Sequence, residues 1–302
     1  MQLGFTFADG NCNPAHAVNS RWMAKPFNSQ LLKWIGNKQR VAQEIISFFP
    51  DRFGTYHEPF VGSGGVLGVL CPAKAEASDS FGPLVAIWIE LKSRPENLKK
   101  WYSDLWHEFI MGPKVAAYEQ IKQRYNLKKD PADLLFLARS CYGGVMRFRM
   151  RDGYMSTPCG THDPIHPNAF AARVDEWHRR LRGADFFHRE YEEAFDRARP
   201  GDVVYCDPPY SHSQAILYGA QKFDLDDLFR CIDCAKHRGV FIALSIDGTK
   251  KSGAKTCKIQ IPTQLFAREV SVNVGRSMLR RFQMGGRTLE SEVVMDRLLL
   301  SH

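Results

Sequence analysis

Several features that would place a chain in a specialised class are missing from these 302 residues. No apolar run approaches the roughly 18 residues that a membrane-spanning helix needs. Residues 1–20 have neither the basic start nor the apolar stretch of a signal peptide. The 8 cysteines are scattered, which favours reduced thiols in a cytoplasmic protein over a disulfide framework. With no internal repeat and no low-complexity tract either, the chain is expected to form a globular protein outside any membrane.

Acidic residues are outnumbered by basic ones. Lys+Arg total 41 and Asp+Glu 33, which gives a net charge of +8. The stretch 236–287 holds eleven basic and two acidic residues, so its surplus of nine accounts for the whole excess. Such an excess favours a polyanionic partner, usually nucleic acid. Within this stretch we assign phosphate binding to Lys250 and Lys251, in a loop that contains Gly and Ser, and DNA contacts to Arg276 and Arg280.

The order of apolar segments and turns is typical of a nucleotide-binding α/β fold. A strand is predicted at residues 56–61, then a glycine-rich turn at 62–65, a helix at 66–70, and a strand at 75–78 that runs into Asp79. Other segments have the continuous apolar character of strands in a parallel sheet. They are residues 203–206, 240–246, 269–274 and 293–299, with a helix predicted over about 225–237.

Residues 85–185 differ from the segments on either side, because tryptophans among many charges predict mainly helices there. Within them, residues 147–151 alternate Arg with apolar residues and are followed by Asp152-Gly153, which is typical of a β-hairpin. We therefore divide the chain into three parts. They are an N-terminal arm (1–30), an α/β core (31–84 and 186–302), and an inserted, mainly helical domain (85–185) that carries the hairpin.

The motif Asp207-Pro208-Pro209-Tyr210 directly follows the predicted strand at 203–206. The exocyclic amine of adenine is a poor nucleophile, because its lone pair is delocalised into the ring. A carboxylate from Asp207 and a carbonyl from Pro208 can both accept its N–H bonds and so favour attack on a methyl sulfonium. The prolines remove competing backbone donors, and Tyr210 offers a face on which an extruded base can stack. The alternative interpretation is a tight Pro-Pro turn capped by Asp.

This motif and four further segments resemble the Dam-like (α-group) N6-adenine-specific DNA methyltransferases, which use S-adenosyl-L-methionine. The segments occur in the family's order and span roughly residues 30–300. They are Leu32-Lys33-Trp34-Ile35-Gly36-Asn37-Lys38, Glu58-Pro59-Phe60-Val61-Gly62-Ser63-Gly64, Tyr142-Gly143-Gly144-Val145-Met146-Arg147, Arg189-Glu190-Tyr191-Glu192-Glu193-Ala194 and the Asp207 motif itself. Two positions depart from the family pattern: Glu190 stands where Asp is usual, and Gly143 where Asn is common.

The resemblance implies a Rossmann-like methyltransferase core, with a mostly parallel seven-stranded sheet and one reversed strand, and an inserted target-recognition domain. It also implies base flipping followed by direct in-line methyl transfer. The residues assigned to the cofactor are Trp34, Lys38, Glu58, Pro59, Phe60, Gly62, Gly64, Asp79, Glu190, Tyr191 and Asp207. Catalysis is assigned to Asp207, Pro208, Pro209 and Tyr210. We expect no metal site.

Some of these assignments also have a physical argument. Gly62 and Gly64 let the backbone approach the methionine end of the cofactor without Cβ clashes. Asp79 is placed to accept the ribose hydroxyls. Lys38 can bind the methionine carboxylate, and Trp34 can pack on it. Each has a simpler alternative: an ordinary glycine loop, a helix-capping Asp79, or a solvated Lys38.

Target reading is assigned to the hairpin. If residues 147–151 form a strand, Arg147, Arg149 and Arg151 share one face, and arginines there can reach guanine edges in the major groove. The alternative is a charged edge strand that resists aggregation. The Cys231-x-x-Cys234 pair has no second pair that would complete a metal site, so we expect both cysteines to pack in the core.

The expected function is therefore site-specific methylation of adenine N6 in double-stranded DNA. It would serve restriction-modification or genome methylation in a bacterial or phage-type cytoplasm, near the nucleoid, and a cognate restriction endonuclease is a candidate partner. An RNA adenine or N4-cytosine methyltransferase is one alternative. Asp at the first motif position favours adenine over cytosine, where Ser is commoner. A catalytically silent DNA-binding protein is the other alternative, and the intact Asp207, Tyr210 and Gly62 argue against it.

Overall fold

The structure is a computed structural model and describes residues 18–209, 223–250, 255–256, 259–275 and 294–302. Its strands are β1 (Asn19–Ser20), β2 (Arg52–Phe53), β3 (Tyr56–Glu58), β4 (Ala75–Asp79), β5 (Ala184–His188), β6 (Val203–Cys206), β7 (Phe241–Lys250), β8 (Lys255–Thr256), β9 (Arg268–Gly275) and β10 (Val294–Leu300). Its α-helices are α1 (Ala42–Ile46), α2 (Gly65–Leu70), α3 (Gly82–Ser93), α4 (Pro95–Met111), α5 (Lys114–Lys128), α6 (Pro131–Ser140), α7 (Pro167–Arg180), α8 (Tyr191–Arg197) and α9 (Leu225–His237). Within the described ranges, no helix is long and apolar enough to cross a membrane.

Eight strands form the central sheet, in the order β5-β4-β3-β6-β7-β10-β9, with β8 paired to β7. Strands β3 to β7 are parallel wherever they pair. β10 runs antiparallel to both β7 and β9. The mostly parallel sheet is therefore confirmed. It has one strand more than the expected seven, because the short β8 also joins it, and both β8 and β10 run antiparallel to β7.

Strand β6 lies at the centre of this sheet and is buried along its whole length. Successive side chains point to opposite faces of a strand. Val203 and Tyr205 accordingly join one buried apolar cluster, and Val204 and Cys206 join another. Burial on both faces explains why residues 203–206 read as a continuous apolar run.

The β5 strand was not predicted from the sequence. The expected boundary between the insertion and the core divides its residues. Only alternate residues of Ala184–His188 are buried, and the strand lies at the edge of the sheet. A strand of that kind carries little apolar signal. The expected boundaries after residues 84 and 185 fall inside α3 and β5. The division into domains remains a prediction.

Helices of the insertion hold the chain just ahead of the predicted cofactor segment. The Arg139 guanidinium donates to the carbonyls of Gln30 and Leu31, at 3.0 and 2.8 Å. Arg173 donates to the Gln30 carbonyl at 2.9 Å, and the Trp177 indole N–H donates to Ser29 at 2.8 Å. Residues 29–31 are thus fixed by α6 and α7, which positions the segment 32–38 that follows.

The expected hairpin forms around a tight turn. Phe148 pairs with Met155, and the Arg149 N–H donates to the Tyr154 carbonyl at 2.9 Å. Residues 150–152 form the turn itself, so the alternation ends at Arg149. The expectation that Arg151 shares a strand face with the other two arginines is therefore wrong.

The Cys231-x-x-Cys234 pair lies on α9 as expected, but the two thiols have different surroundings. Cys231 is half-buried against the apolar cluster on its side of the sheet. Cys234 is exposed, so the prediction that both pack in the core is wrong for Cys234. Only one of the two positions falls on the apolar stripe of the helix.

Candidate active site

A cavity of about 860 Å³ opens where the central strands end. β3 ends at Glu58, β4 ends at Asp79, and β6 leads into Asp207. The chain continues from β3 to β4 on one side and from β6 to β7 on the other, which leaves a crevice at the carboxyl ends of these strands. Ligands bind in such crevices of open α/β sheets.

Most of the predicted site residues meet in this cavity. Those that line it are Trp34, Lys38, Glu58, Phe60, Gly62, Asp79, Glu190, Tyr191, Asp207 and Pro209. Pro59, Gly64 and Pro208 flank it without lining it. Tyr210 lies outside the described residues. The motifs are far apart in the chain, and the parallel sheet brings them together.

Asp207 is engaged by a buried lysine. The Lys38 ammonium lies 2.7 Å from one oxygen of the Asp207 carboxylate and 2.9 Å from the other. It also donates to the Gly36 carbonyl at 3.2 Å and lies 3.5 Å from Asp296. Burial by itself lowers the pKa of Lys38, but the two carboxylates outweigh it and raise that pKa above its ordinary value. Lys38 therefore holds the Asp207 carboxylate, whereas its predicted contact with the cofactor remains a prediction.

Glu58 is fully buried beside this ion pair. The Tyr56 hydroxyl donates to its carboxyl group at 2.7 Å. Burial raises the pKa of Glu58 to about 8, and the neighbouring Asp207 adds to the rise. The carboxyl group is therefore mostly protonated at neutral pH, and in that form it can donate a hydrogen bond as well as accept one.

Asp79 ties the glycine turn to the segment after β4. One carboxylate oxygen accepts the Gly62 N–H at 3.1 Å, and the other accepts the Phe81 N–H at 3.0 Å. Burial raises the pKa of Asp79 to about 6. An ionised carboxylate has about four lone-pair sites, so both oxygens keep capacity for the ribose contact that the sequence predicts.

The two glycines of the turn meet different demands. Both adopt the left-handed backbone conformation, with φ of +46° at Gly62 and +63° at Gly64. A Cβ at position 64 would lie 3.2 Å from Trp88 and 3.4 Å from Trp177, inside the protein core. Glycine at 64 is therefore required by backbone conformation and packing. Gly62 lines the cavity, where the expected close approach of a ligand remains a prediction.

Three aromatic rings form one wall of the cavity. Phe60 and Tyr191 stack with ring centroids 5.4 Å apart and an interplanar angle of 28°. Phe223 meets both rings edge-on, at 5.8 Å from each. Sequence reasoning missed Phe223, because it lies 13 residues beyond the last residue of the Asp207 motif with no pattern around it. Such a wall suits a flat heteroaromatic ring.

The inserted domain contributes to the same cavity through Lys129, Phe148 and Gly153. The ring of Phe148 packs against Phe81 at 5.5 Å, and Phe81 lies 6.2 Å from Trp34. Nothing in the sequence marked these contacts in advance, because they join three distant segments. The hairpin is therefore in physical contact with the predicted cofactor site.

The three hairpin arginines that are predicted to bind DNA do not line the cavity. Arg149 covers the ring of Tyr154 at 4.1 Å and lies 3.1 Å from Asp152. Arg151 is exposed and 3.4 Å from the same carboxylate, and Arg147 is half-buried. Pairs this exposed are weakly held, so phosphates can compete for the two guanidiniums.

Part of the basic stretch 236–287 supports the fold. Lys236 donates to the carbonyls of Gln264 and Leu265, and Arg238 donates to Phe195. Lys251, Arg276 and Arg280 and the side chain of Lys250 lie outside the described part of the chain. Their assignment to DNA remains a prediction.

The comparisons with known proteins identify the family of the chain. The family model described as D12 class N6 adenine-specific DNA methyltransferase matches residues 34–257, well over half of the chain. The Type II methyltransferase M1.LlaDCHI of Lactococcus lactis subsp. cremoris is 25% identical over 234 residues, which are 70% of this chain and 79% of that protein. A DNA adenine methylase of Vibrio cholerae serotype O1 is 26% identical over 231 residues (71% and 79%), and that of Escherichia coli K12 is 28% identical over 190 residues (61% and 66%).

Among solved structures, the rRNA methyltransferase AviRa of Streptomyces viridochromogenes aligns with 86% of this chain and 84% of its own, at 15% identity and a TM-score of 0.37. The family match extends from Trp34 past the Asp207 motif and through residues 85–185, so it includes all of the segments that carried the resemblance except Leu32 and Lys33. The expected family is confirmed: the chain belongs to the D12 class of N6 adenine-specific DNA methyltransferases.

Proposed function

We propose that this enzyme transfers the methyl group of S-adenosylmethionine to the N6 amine of an adenine flipped out of double-stranded DNA. One observation carries the proposal. Asp207, at the end of the central strand β6, faces the same cavity as the glycine turn, Asp79 and the stacked ring of Tyr191. A methyl-group acceptor and its donor can therefore meet beside one carboxylate.

The cavity has the chemistry to hold the cofactor. When bound, S-adenosylmethionine supplies a methyl group activated by a sulfonium. The acidic lining suits its positive charges, and it comprises Asp79, Glu190, Glu192 and Asp207. The protonated Glu58 adds a hydrogen-bond donor to this lining instead of a charge. The wall of Phe60, Tyr191 and Phe223 would hold the adenine ring by stacking, and Asp79 would accept the ribose hydroxyls. Gly62 keeps the turn free of a side chain at the cavity surface.

Asp207 and Pro208 act on the target amine. The carboxylate of Asp207 and the carbonyl of Pro208 accept its two N–H bonds, which concentrates the nitrogen lone pair on the attacking side. Neither Pro208 nor Pro209 has a backbone N–H that could compete for those acceptors. Lys38 fixes the orientation of the Asp207 carboxylate by contact with both of its oxygens. As the charge builds on the amine, the preorganised carboxylate stabilises it.

Duplex DNA would lie across the mouth of the cavity. The hairpin arginines, with Arg147 foremost as the match to the family's hairpin arginine, would read bases in the major groove. Lys250, Lys251, Arg276 and Arg280 would bind phosphates. Tyr210 would stack on the extruded base. The activity would serve restriction-modification or genome methylation in the cytoplasm, with a cognate endonuclease as the candidate partner.

Transfer of tritium from labelled S-adenosylmethionine to duplex DNA or to RNA tests the proposal. We expect label in duplex DNA, at adenine N6 after digestion to nucleosides. The Asp207→Ala variant should lose activity by on the order of 10²-fold or more. Its affinity for the cofactor, measured by calorimetry, should stay close to that of wild type. Label in RNA or in cytosine, or wild-type turnover of the variant, would contradict the assignment.

A further inference from the structure

Lys38, which holds Asp207, also contacts a buried carboxylate, that of Asp296. Asp296 is 3.5 Å from the Lys38 ammonium, on β10, and the side chains of Lys38 and Asp296 are only 6% and 8% exposed. The ammonium has three N–H donors. Its partners include the Gly36 carbonyl, Asp207 and Asp296. No sequence motif marks Asp296.

The sheet is locally modified where Asp296 lies. The pairing of β10 with β7 shifts register between Met295 and Asp296, which leaves Gly248 as an extra residue on β7. A Cβ at position 248 would lie 2.4 Å from the Met295 carbonyl oxygen, so only glycine fits. Bulges of this kind re-aim side chains and are common beside active sites.

A carboxylate at this position is costly. Leu298 to Leu300 on the same strand are buried apolar residues, and the register partner Asp247 on β7 is a second buried acid. Burial raises the pKa of Asp296 to about 6, with Asp207 and Asp247 adding to the rise, so its ionised form predominates at neutral pH and above. A buried charge needs an ion partner, and Lys38 supplies it.

The Lys38 ammonium and the target amine compete for the oxygens of the Asp207 carboxylate. Lys38 lies close to both oxygens of Asp207, at 2.7 and 2.9 Å. If its charge were directed at Asp207 alone, the ammonium would weaken that carboxylate as an acceptor for the target amine. Asp296, as a second carboxylate beside the same ammonium, shares its charge and competes with Asp207 for its N–H donors.

We propose that Asp296 is a positioning residue, which holds the Lys38 ammonium so that Asp207 is oriented by it but still free to accept the target amine. This inference rests on the proposed methyl transfer. Asp296 touches neither DNA nor cofactor in this scheme, and it acts only through Lys38. Its loss should therefore slow the chemical step and leave binding of both substrates unchanged.

The Asp296→Asn variant tests the inference, because it removes the charge and keeps the shape. In single-turnover methyl transfer to duplex DNA, we expect the rate to fall by on the order of 10-fold or more. The dissociation constants of S-adenosylmethionine and DNA should stay within about twofold of wild type. A residue that stabilises the bound ground state and the transition state equally would change these constants and leave the rate of the bound complex unchanged. Wild-type rate in a folded Asp296→Asn protein would overturn the inference, and so would weakened binding with an unchanged rate.

Glu269→Gln is the matched control. Glu269 lies on β9 and pairs with Arg297, the neighbour of Asp296, at the surface of the same strands. This control should keep the wild-type rate. If Asp296→Asn does not fold, Asp296→Glu retains the charge and moves it by one methylene. It should lower the rate by at least about threefold with unchanged dissociation constants. An unchanged rate there would count against the inference.

The two proposals fail in different ways. If wild type transfers no methyl group to duplex DNA, the proposed function falls. If wild type is active and the folded Asp296 variant has the wild-type rate, only the proposed role of Asp296 is wrong.

Discussion

Replacement of Glu58 by glutamine should abolish a fall in stability that wild type shows as the pH rises above neutral. Burial raises the pKa of Glu58 in the folded protein to about 8, from an ordinary value of 4.5. The folded state therefore holds a proton that the unfolded chain has already released. Stability depends on pH through the difference in bound protons. It must therefore decrease as the pH rises from the ordinary pKa of 4.5 to the folded-state pKa of about 8, and it levels off above that pKa.

The magnitude follows from the size of the shift. Each pK unit corresponds to about 1.4 kcal/mol. Between pH 6.5 and 8.5 the folded state loses most of the Glu58 proton, which lowers the free energy of unfolding by about 2 kcal/mol. For a protein of this size, such a change moves the melting temperature by roughly 3 °C. The glutamine side chain in the Glu58→Gln variant cannot ionise, and its oxygen can still accept the Tyr56 hydroxyl.

Urea unfolding at several pH values, without cofactor, measures this effect. Wild type should lose stability from pH 6.5 to 8.5 by about 2 kcal/mol more than Glu58→Gln does. Glu269→Gln is the control, because the pKa of the exposed Glu269 is lowered by Arg297 and the group does not titrate in this range. Equal slopes for wild type and Glu58→Gln would refute the reasoning, since Glu58 would then be ionised at neutral pH.

Three further predictions concern ligand binding. Tyr191→Leu should weaken binding of S-adenosylmethionine by roughly three- to tenfold in calorimetry. The reason is that aromatic stacking contributes about 0.5–1.5 kcal/mol beyond the burial of apolar area. An unchanged affinity would mean that the cofactor binds elsewhere. At least one of Arg147→Ala and Arg149→Ala should relax target choice at one base pair, by about 1–3 kcal/mol, with non-cognate affinity nearly unchanged. Sequencing of the methylated positions on random-sequence DNA tests this, and if both variants keep the wild-type sites, recognition lies outside the hairpin. The double variant Lys250→Ala/Lys251→Ala should weaken binding to all duplexes alike and reduce the slope of log affinity against log salt by roughly two. Altered sequence preference with the same slope would contradict phosphate binding.

The sequence by itself determined the family, the strand that leads into Asp207, and the parallel core. Those conclusions depended on local patterns: a buried strand that runs into Asp207, a glycine turn after β3, and the order of five motifs along the chain. Local patterns predict these features because the character of a strand and the geometry of a turn depend mainly on residues that are close together in the sequence. The hairpin turn was predicted for the same reason.

Only the tertiary structure decided which groups meet. Lys38 and Asp207 are separated by 169 positions in the chain, yet they form the central ion pair of the site. Phe223 and Asp296 lie in no motif, and Phe148 lies in the predicted hairpin without any pattern that marks its contact with the cavity. Their approach is set by strand order and by the bulge at Gly248, which no short-range pattern encodes. Side-chain contacts across a sheet depend on register and crossover, so they emerge only when the whole sheet has formed.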